Sequence, residues 1–411
     1  MLLDVTPLRQ NRDFRFLYLG QIISFVGSMV TYVAVPYQVY QLTRSSFLVG
    51  LLGAAQLVPL LVFGLFGGSY ADALDRRRMM IVSELILAAG SLGLMANSLL
   101  AKPSVALIFV VSSLMSGVNG FHRPAFDALT QSLVTPAELT AVSALGTLRF
   151  SVGAILGPAF GGVVLARGGA ATAYLFDAVT FLASIVCLLG VRRFAGKTES
   201  KAAGLEGIRE GLRYATSRPE LVGTYVVDMV AMTFAFPTAL FPAMGEAWGG
   251  ATAVGWLYAG MSLGSLVVTL LSGWTGGVRR HGAAVVLSAA GWGAAVIALA
   301  FAKSLWVAVA CLALAGAADT VSGIFRMTIW NATIPNELRG RLSGIEMISY
   351  TSGPLLGNAR AGWMAQAFSN GISIGVGGAV CLAGVLSCIW LLPGFWRYRS
   401  DGSRPESGAQ M

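Results

Sequence analysis

The 411-residue chain is 55% hydrophobic and 11% charged, and it carries a formal net charge of +9 at pH 7. A typical soluble domain has about 25% charged residues and keeps most apolar side chains away from water, which this composition does not allow. The composition therefore excludes an ordinary soluble globule and predicts a membrane protein.

Apolar segments long enough to cross a bilayer recur along the whole chain. A membrane-spanning helix needs about 20 mostly apolar residues. The segments that meet this requirement are 16–40, 47–70, 79–100, 104–121, 141–165, 171–190, 221–244, 252–274, 283–301, 306–329, 342–367 and 372–392. They predict an all-α membrane protein with twelve transmembrane helices, arranged as two six-helix bundles.

A long polar segment separates the two predicted bundles. We expect an N-terminal bundle at 1–190, a cytoplasmic linker at 191–220, a C-terminal bundle at 221–396 and a cytoplasmic tail at 397–411. In the linker, apolar residues at helical spacing alternate with charged ones, which predicts an amphipathic helix on the membrane surface. The apolar face of that helix consists of Leu205, Ile208 and Leu212.

The two halves also resemble each other in sequence. Arg123 precedes a Pro-x-Glu-Leu loop and a Gly-Pro pair in the first half, and Arg326 precedes the same features in the second. Transporters built by internal duplication place a central site between their repeats. We therefore expect a site between the halves.

Basic residues concentrate in alternate loops. One set of loops and the tail contain Arg76, Arg77, Arg78, Arg279, Arg280, Arg339, Arg341, Arg397 and Arg399, whereas the other set contains only Arg44, Lys102, Arg167 and Lys303. Loops rich in Lys and Arg stay on the cytoplasmic side. This pattern predicts a multi-pass protein of the bacterial inner membrane with both termini in the cytoplasm, and it explains the net charge without a nucleic-acid partner.

The loop after the second predicted span carries a first motif. It reads GSYADALDRRR from Gly68, with Asp72 four residues later and then Arg76, Arg77 and Arg78. This resembles motif A of the major facilitator superfamily, although Ala73 and Asp75 depart from the usual pattern. We expect the arginines to pair with Asp127 and so favour one arrangement of the halves; the alternative is a plain positive-inside loop.

A second motif lies in the fifth predicted span. Its glycines and proline are Gly153, Gly157, Pro158, Gly161 and Gly162. This spacing resembles motif C, which marks the antiporter and drug-efflux branches of the same superfamily. Small residues let helices approach closely and proline bends a helix, so the alternative is a generic glycine-rich helix interface.

The resemblance to this superfamily covers nearly the whole chain. The opening NRDFRFLYLGQIISFVGSMV and the second-half segments TALFPAMGEAW and IPNELRGRLSGIEMIS are similar to the enterobactin-exporter and macrolide and multidrug efflux branch. The resemblance implies export of a siderophore or a hydrophobic drug, driven by proton entry and without a cofactor. Consistent with this, the sequence has no P-loop.

Ionisable residues inside spans are costly in lipid and are therefore candidates for function. Asp319 and Asp228 are the acids we expect to carry protons or face substrate, with Arg326 two turns from Asp319 on the same helix face. Arg149 is a candidate to contact an anionic substrate or a carboxylate in the cavity. The alternatives are an ion pair that fixes helix packing and, for Arg149, a side chain that reaches the membrane interface. Asp177, Glu84 and Glu346 lie nearer helix ends and are interpreted as caps or structural pairs.

The first span carries a polar stripe. Gln21, Ser24, Ser28, Thr31 and Gln38 recur at helical spacing and share one face. The resemblance implies that spans one, four, seven and ten line a central cavity, so we expect these side chains and Asn119 to line it. The equally favoured alternative is hydrogen bonding between helices.

Other functional classes find less support. The four cysteines lie in apolar segments without metal-ligand spacing, and no catalytic motif of a membrane enzyme occurs. We expect no metal, no cofactor other than the proton motive force, and a monomer that contacts a small molecule, protons and lipid. An uptake symporter or uniporter on the same fold is the main alternative, and a sensor without transport activity is another.

Overall fold

The computed structural model of the protein describes residues 4–73, 75–192 and 213–399, apart from the side chains of 65–73 and 336–349. Every regular element in these ranges is a helix. We number the α-helices α1 Thr6–Gln10, α2 Arg12–Thr43, α3 Ser46–Ala73, α4 Arg76–Ser98, α5 Val105–Leu133, α6 Leu139–Gly190, α7 Pro219–Ala235, α8 Phe241–Trp248, α9 Ala251–Leu270, α10 His281–Ala300, α11 Leu305–Thr333, α12 Asn336–Ala367, α13 Asn370–Leu391 and α14 Pro393–Trp396. The predicted amphipathic helix of the linker lies outside the described residues.

Ten helical segments of the described chain are long and apolar enough to cross a membrane. The count differs from the twelve predicted spans for two reasons. Two predicted spans, 141–165 and 171–190, fall within α6, and the span predicted at 342–367 falls on α12, whose first part is not described at the side-chain level. The protein is therefore an all-helical, multi-pass membrane protein.

The kink in α6 has a specific cause. Gly169 has φ 71° and ψ −177°, a conformation that side-chain-bearing residues rarely adopt, and it interrupts the helix between its two apolar segments. The segment before Gly169 packs on α2 and α9, and the segment after it packs on α2 and α4. α6 therefore contains two of the predicted spans, one on each side of Gly169.

The span predicted at 221–244 lies within one candidate membrane span, Pro219–Trp248, which is formed by two helices with a break between them. α7 ends at Ala235, a short 3-10 turn follows at Thr238–Leu240, and α8 begins at Phe241. Pro237 cannot donate a backbone hydrogen bond, and it disfavours helical geometry in the residue before it, Phe236, which is extended with ψ 113°. The break leaves the backbone of Ala239 free to bond elsewhere.

The helices of the two halves pack in matching pairs. In the first half α3 packs on α5, α4 packs on α5 and α6, and α2 packs on α6. In the second half α9 packs on α11, α10 packs on α11 and α13, and α7 packs on α12. Contacts between the halves are dominated by α3 with α12 and by α6 with α9.

The outer faces of many helices are apolar and exposed. Val186 is 69% exposed, Leu270 is 74% exposed and Trp390 is 76% exposed. A soluble protein does not leave so many large apolar side chains in contact with water, so these faces fit a surrounding of lipid chains.

Candidate functional site

A cavity of about 580 Å³ lies between the halves. Its first-half wall is formed by α2, α3, α5 and α6, and its second-half wall by the 3-10 turn, α9 and α12. Polar and aromatic side chains both contribute to the wall, a combination that binds a small molecule by apolar contact and fixes its orientation by hydrogen bonds.

The structure places five of the six residues of the predicted polar lining in the cavity wall: Gln21, Ser24, Ser28, Thr31 and Asn119. The sixth, Gln38, is not part of that wall and is hydrogen-bonded to Ser98 and Tyr174. Gln21 and Thr31 are also bonded away from the cavity. The amide nitrogen of Gln21 donates to Glu84 at 2.6 Å, and the hydroxyl of Thr31 donates to Asp177 at 2.7 Å. The stripe therefore both lines the cavity and forms hydrogen bonds between helices. Its contact with substrate stays a prediction.

A cationic corner forms where α5 and α6 meet the cavity. The guanidinium of Arg149 lies 4.6 Å from the ring centroid of Phe126 and 5.5 Å from that of Phe25. Among the described side chains, no carboxylate lies within 4.0 Å of Arg149, and its buried Nε has no hydrogen-bond partner. The aromatic faces stabilise the cation while leaving it able to meet an anion.

Asp127 and Arg123 also line the cavity near this corner. Asp127 interacts electrostatically with both Arg123 and Arg149. Arg123 contacts the hydroxyl of Tyr350 on α12, so it links the two halves. The corner therefore combines two cations with one acid at the boundary between the halves.

The arginines of the 68–78 motif make other contacts in this structure. Arg76 donates to the carbonyl oxygen of Ala128 at 3.1 Å. Arg77 donates to the carbonyl oxygens of Leu188 and Leu189 at 2.7 and 2.9 Å, where α6 ends. These bonds satisfy carbonyls that a helix C-terminus leaves unpaired.

Two other parts of this motif bear on the predicted pairing with Asp127. Arg78 pairs with Asp75 at 3.8 Å, and Asp75 also caps the start of α4. Gly68 and Asp72 lie in the last turns of α3, where side chains are outside the description. The pairing with Asp127 stays a prediction.

The glycines of the second motif lie at two helix crossings. Gly153, Gly157 and Gly161 face α2, where added methyl groups would meet Phe25, Met29 and Val30, and Gly162 faces α9. A methyl group on Gly162 would lie 2.7 Å from the carbonyl oxygen of Ala251 and 3.0 Å from the Cα of Gly255. Pro158 lies inside α6, and its carbonyl oxygen approaches Gly255.

The two candidate acids of the second half both lie next to one arginine. Arg326 on α11 forms an ion pair with Asp228 on α7, and its Nη2 lies 3.4 Å from Oδ1 of Asp319. Asp228 is buried, whereas 39% of the Asp319 side chain is exposed. None of the three is among the described residues that line the cavity. The structure thus joins these candidates to one another and separates them from the polar stripe.

Sequence reasoning undervalued two acids of the first half. Glu84 and Asp177 are both 0% exposed, and neither caps a helix. Glu84 accepts from Ser184 at 2.9 Å and lies 3.3 Å from the Nε2 atom of His122, a residue that lines the cavity. Their positions about two turns inside helices gave a signal, but only the tertiary structure shows that no helix end is near enough for capping. Glu346 lies outside the described side chains.

Polar side chains join the two halves at the end near Arg44. Arg44 pairs with Glu246 of α8 at 3.5 Å, and the hydroxyl of Tyr37 donates to Glu246 at 3.2 Å. Within the second half, the broken α7–α8 segment is hydrogen-bonded to α12. The side-chain oxygen of Asn358 on α12 accepts from Thr238 at 2.8 Å and from the backbone nitrogen of Ala239 at 2.9 Å.

Across the described ranges, no cluster of three or more His, Cys, Asp and Glu side chains is arranged to bind a metal ion.

Curated relatives resemble the chain over most of its length. The enterobactin exporter EntS of Shigella boydii serotype 4 (strain Sb227) is 29% identical over 367 residues, which cover 88% of this chain and 87% of that protein. EntS of Escherichia coli O139:H28 (strain E24377A / ETEC) is 28% identical over the same shares.

Solved structures share the fold at low identity. The peptide transporter POT in complex with sulfate has a TM-score of 0.76 at 12% identity, covering 94% of this chain and 95% of that chain. A bacterial homologue of the iron transporter ferroportin in the inward-facing state has a TM-score of 0.67 at 15% identity, covering 94% and 98%. The profile of the transmembrane secretion effector family matches residues 4–397. The chain therefore belongs to this family of the major facilitator superfamily, and it is a secondary transporter.

Proposed function

We propose that this protein exports a small molecule, a siderophore or a hydrophobic drug or antibiotic, by proton antiport with alternating access. The observation that carries the proposal is the cavity of about 580 Å³ between the halves, with polar contacts between them at its Arg44 end. Alternating access requires a central site that opens to one side at a time. Relatives named as enterobactin exporters support the outward direction and the siderophore class.

The proposed architecture is twelve spans in two six-helix bundles, at 1–190 and 221–396, joined by a linker at 191–220 and followed by a tail at 397–411. The matching helix pairs in the two halves support it, as does the kink of α6 at Gly169. We assign the arginine-rich end to the cytoplasm, so that both termini are cytoplasmic in an inner-membrane monomer. The clustered Arg76, Arg77 and Arg78 support this orientation.

The cavity wall supports the substrate class. Tyr32, Tyr258 and Phe236 provide aromatic surface, and Asn358 provides a polar group from the second half. Arg149, held against two aromatic rings, suits a ring-bearing molecule with an acidic or hydroxyl group. A siderophore and a planar antibiotic both present such groups.

Proton coupling is assigned to Asp319 and Asp228, with Arg326 as their shared counter-ion. When both acids are ionised, one guanidinium faces two carboxylates, so binding of a proton by one acid leaves the other with the full cation. Protonation of Asp319 therefore changes the ion pair that joins α11 to α7. Such a change favours one arrangement of the second half over another.

The first prediction tests direction and coupling together. Inverted membrane vesicles with an acidified lumen are expected to accumulate at least one compound from a panel of enterobactin, a macrolide and a hydrophobic dye, and a protonophore is expected to abolish this. Asp319→Asn is expected to lower the rate by at least about tenfold, equivalent to about 1.4 kcal/mol, because the amide cannot exchange a proton. Membrane amounts are measured by immunoblot.

Glu138→Gln is the matched control, because Glu138 is an exposed acid whose hydrogen bonds with Thr135 keep its pKa below the usual range. It is expected to transport at the wild-type rate. Accumulation only in right-side-out vesicles would instead identify an uptake symporter or uniporter. Full proton-driven export by Asp319→Asn would remove Asp319 from the mechanism.

A further inference from the structure

The interior of the first half contains an acid without a cation. Asp177 on α6 is 0% exposed, yet it belongs to the cavity wall together with Thr31. The ion pairs within 4.0 Å among the described side chains do not include Asp177. Its Oδ1 atom is buried and has no hydrogen-bond partner there.

Three helices surround this carboxyl group. Thr31 of α2 and Ser91 of α4 each place a hydroxyl oxygen 2.7 Å from its Oδ2 atom. On α6 the nearest titratable side chain is Tyr174, whose hydroxyl donates to Gln38 at 2.8 Å and is therefore engaged elsewhere. On α4 the titratable group is Glu84, about two turns from Ser91. None of these groups provides a positive charge.

The second buried acid differs in this respect. Glu84 lies 3.3 Å from the Nε2 atom of His122, so an imidazole can share a proton with it or balance its charge. Asp228 and Asp319 likewise share Arg326. Asp177 is thus the buried acid of the described spans that lacks a basic partner.

The chemistry of the site favours a neutral carboxyl group. An ionised carboxylate buried without a counter-ion costs several kcal/mol, whereas a protonated one avoids most of this cost. A hydroxyl group can donate or accept a hydrogen bond. Thr31 and Ser91 can therefore accept from the protonated acid or donate to the carboxylate without moving, and the site can hold both protonation states.

We propose that Asp177 is a proton-binding site: its carboxyl group is protonated in this conformation and releases its proton to water in the cavity. In that step the O–H bond of the carboxyl group breaks as a new O–H bond to a water molecule forms, and nothing is oxidised or reduced. The site is distinct from the Asp228–Arg326–Asp319 group of the second half. The presence of the proton is independent of the proposed function; its use in antiport rests on that function.

Release of the proton would act on the packing of the first half. The carboxyl joins α2, α4 and α6 through two hydroxyl groups, and an ionised form needs water or a cation that this arrangement does not supply. Deprotonation therefore favours a conformation in which water from the cavity solvates the carboxylate of Asp177. Proton binding is in this way linked to the position of α2 against α6.

Infrared difference spectroscopy of the full-length protein in lipid nanodiscs tests the site. Wild type at neutral pH is expected to show the C=O band of a protonated carboxyl group, which shifts in heavy water and loses intensity as the pH is raised. Asp177→Asn is expected to lose that component, and Glu138→Gln, at an exposed acid, is expected to retain it. An unchanged band in Asp177→Asn would overturn the proposal.

Thr31→Val leaves Asp177 in place and provides a second test if Asp177→Asn does not fold. It removes one hydroxyl partner, so the frequency of the same band is expected to shift; an unshifted band would also overturn the assignment. These measurements need no transported molecule. A wild type that exports nothing would therefore contradict the proposed function while leaving the assignment of the proton to be decided by the band.

Discussion

At the scale of single residues, the groups around a charged side chain determine whether that charge can contact a ligand in the cavity. Arg149 lies against two aromatic faces, with no described carboxylate within 4.0 Å, whereas Arg326 is held by two acids. Aromatic faces stabilise a cation by about 0.5–2 kcal/mol without neutralising it. Arg149 therefore keeps its charge available to the cavity, and Arg326 does not.

Substitution of Arg149 tests this difference. Arg149→Ala is expected to raise the KM for an anionic or hydroxyl-bearing aromatic substrate about tenfold, since loss of a contact worth about 1.4 kcal/mol changes affinity by that factor. Arg149→Lys keeps the charge but loses the planar group that stacks on the rings, so an intermediate KM is expected. The measurement is the initial rate of export as a function of substrate concentration. Equal KM values in all three proteins would contradict a role for Arg149 in binding.

At the scale of helices, α6 serves as the contact between the halves because its small residues face two directions. Gly153, Gly157 and Gly161 meet α2, and Gly162 meets Gly255 of α9 with almost no space between the backbones. A close backbone contact of this kind allows two helices to pivot or separate without displacing side chains. The crossing is therefore suited to a moving interface.

Gly162→Ala is expected to disturb that crossing. A methyl group there must displace the backbone of α9, and overpacking costs about 1–3 kcal/mol, so we expect the rate of export to fall about tenfold or more. Gly146→Ala, in the same helix, adds a methyl group with no atom within 4 Å and is expected to leave the rate unchanged. Equal export rates in the two variants would show that the crossing does not limit transport.

At the scale of the whole molecule, polar contacts join the two halves at the Arg44 end, in addition to the packing of α3 on α12 and of α6 on α9. Arg44 and Glu246 pair across the halves with 64% and 30% of their side chains exposed, and Ser45 contacts Gln366 at 3.2 Å. Exposed ion pairs contribute about 0.2–1 kcal/mol. Contacts of this strength can hold a conformation closed and still open during each transport cycle.

Reversal of the charge on Glu246 is expected to open this end. Glu246→Arg places two cations together and is expected to shift the closed population several-fold toward an open one, since about 1 kcal/mol is lost. The added exchange Arg44→Glu is expected to restore closure. Distances between spin labels at positions 45 and 366, in a cysteine-free background, report the population. Identical distance distributions in the single and double variants would contradict a role for this pair.

The sequence by itself determined the membrane-spanning character and the family. Apolar segments of sufficient length mark the helices because lipid tolerates no unpaired backbone, and the motifs from Gly68 and from Gly153 point to the major facilitator superfamily, which the family profile confirms. The polar stripe of α2 was also visible as a repeat at helical spacing. These features are local, because each depends on residues that are close together in the sequence.

Only the tertiary structure decided which polar groups meet. The aromatic rings around Arg149 and the pairing of the acids with Arg326, with His122 or with two hydroxyl groups depend on contacts between residues far apart in the chain. Periodicity along one helix shows which side chains share a face but not which helix lies opposite. The state of a buried charge depends on that opposite helix, and so the choice among the candidate acids could not be made from the sequence.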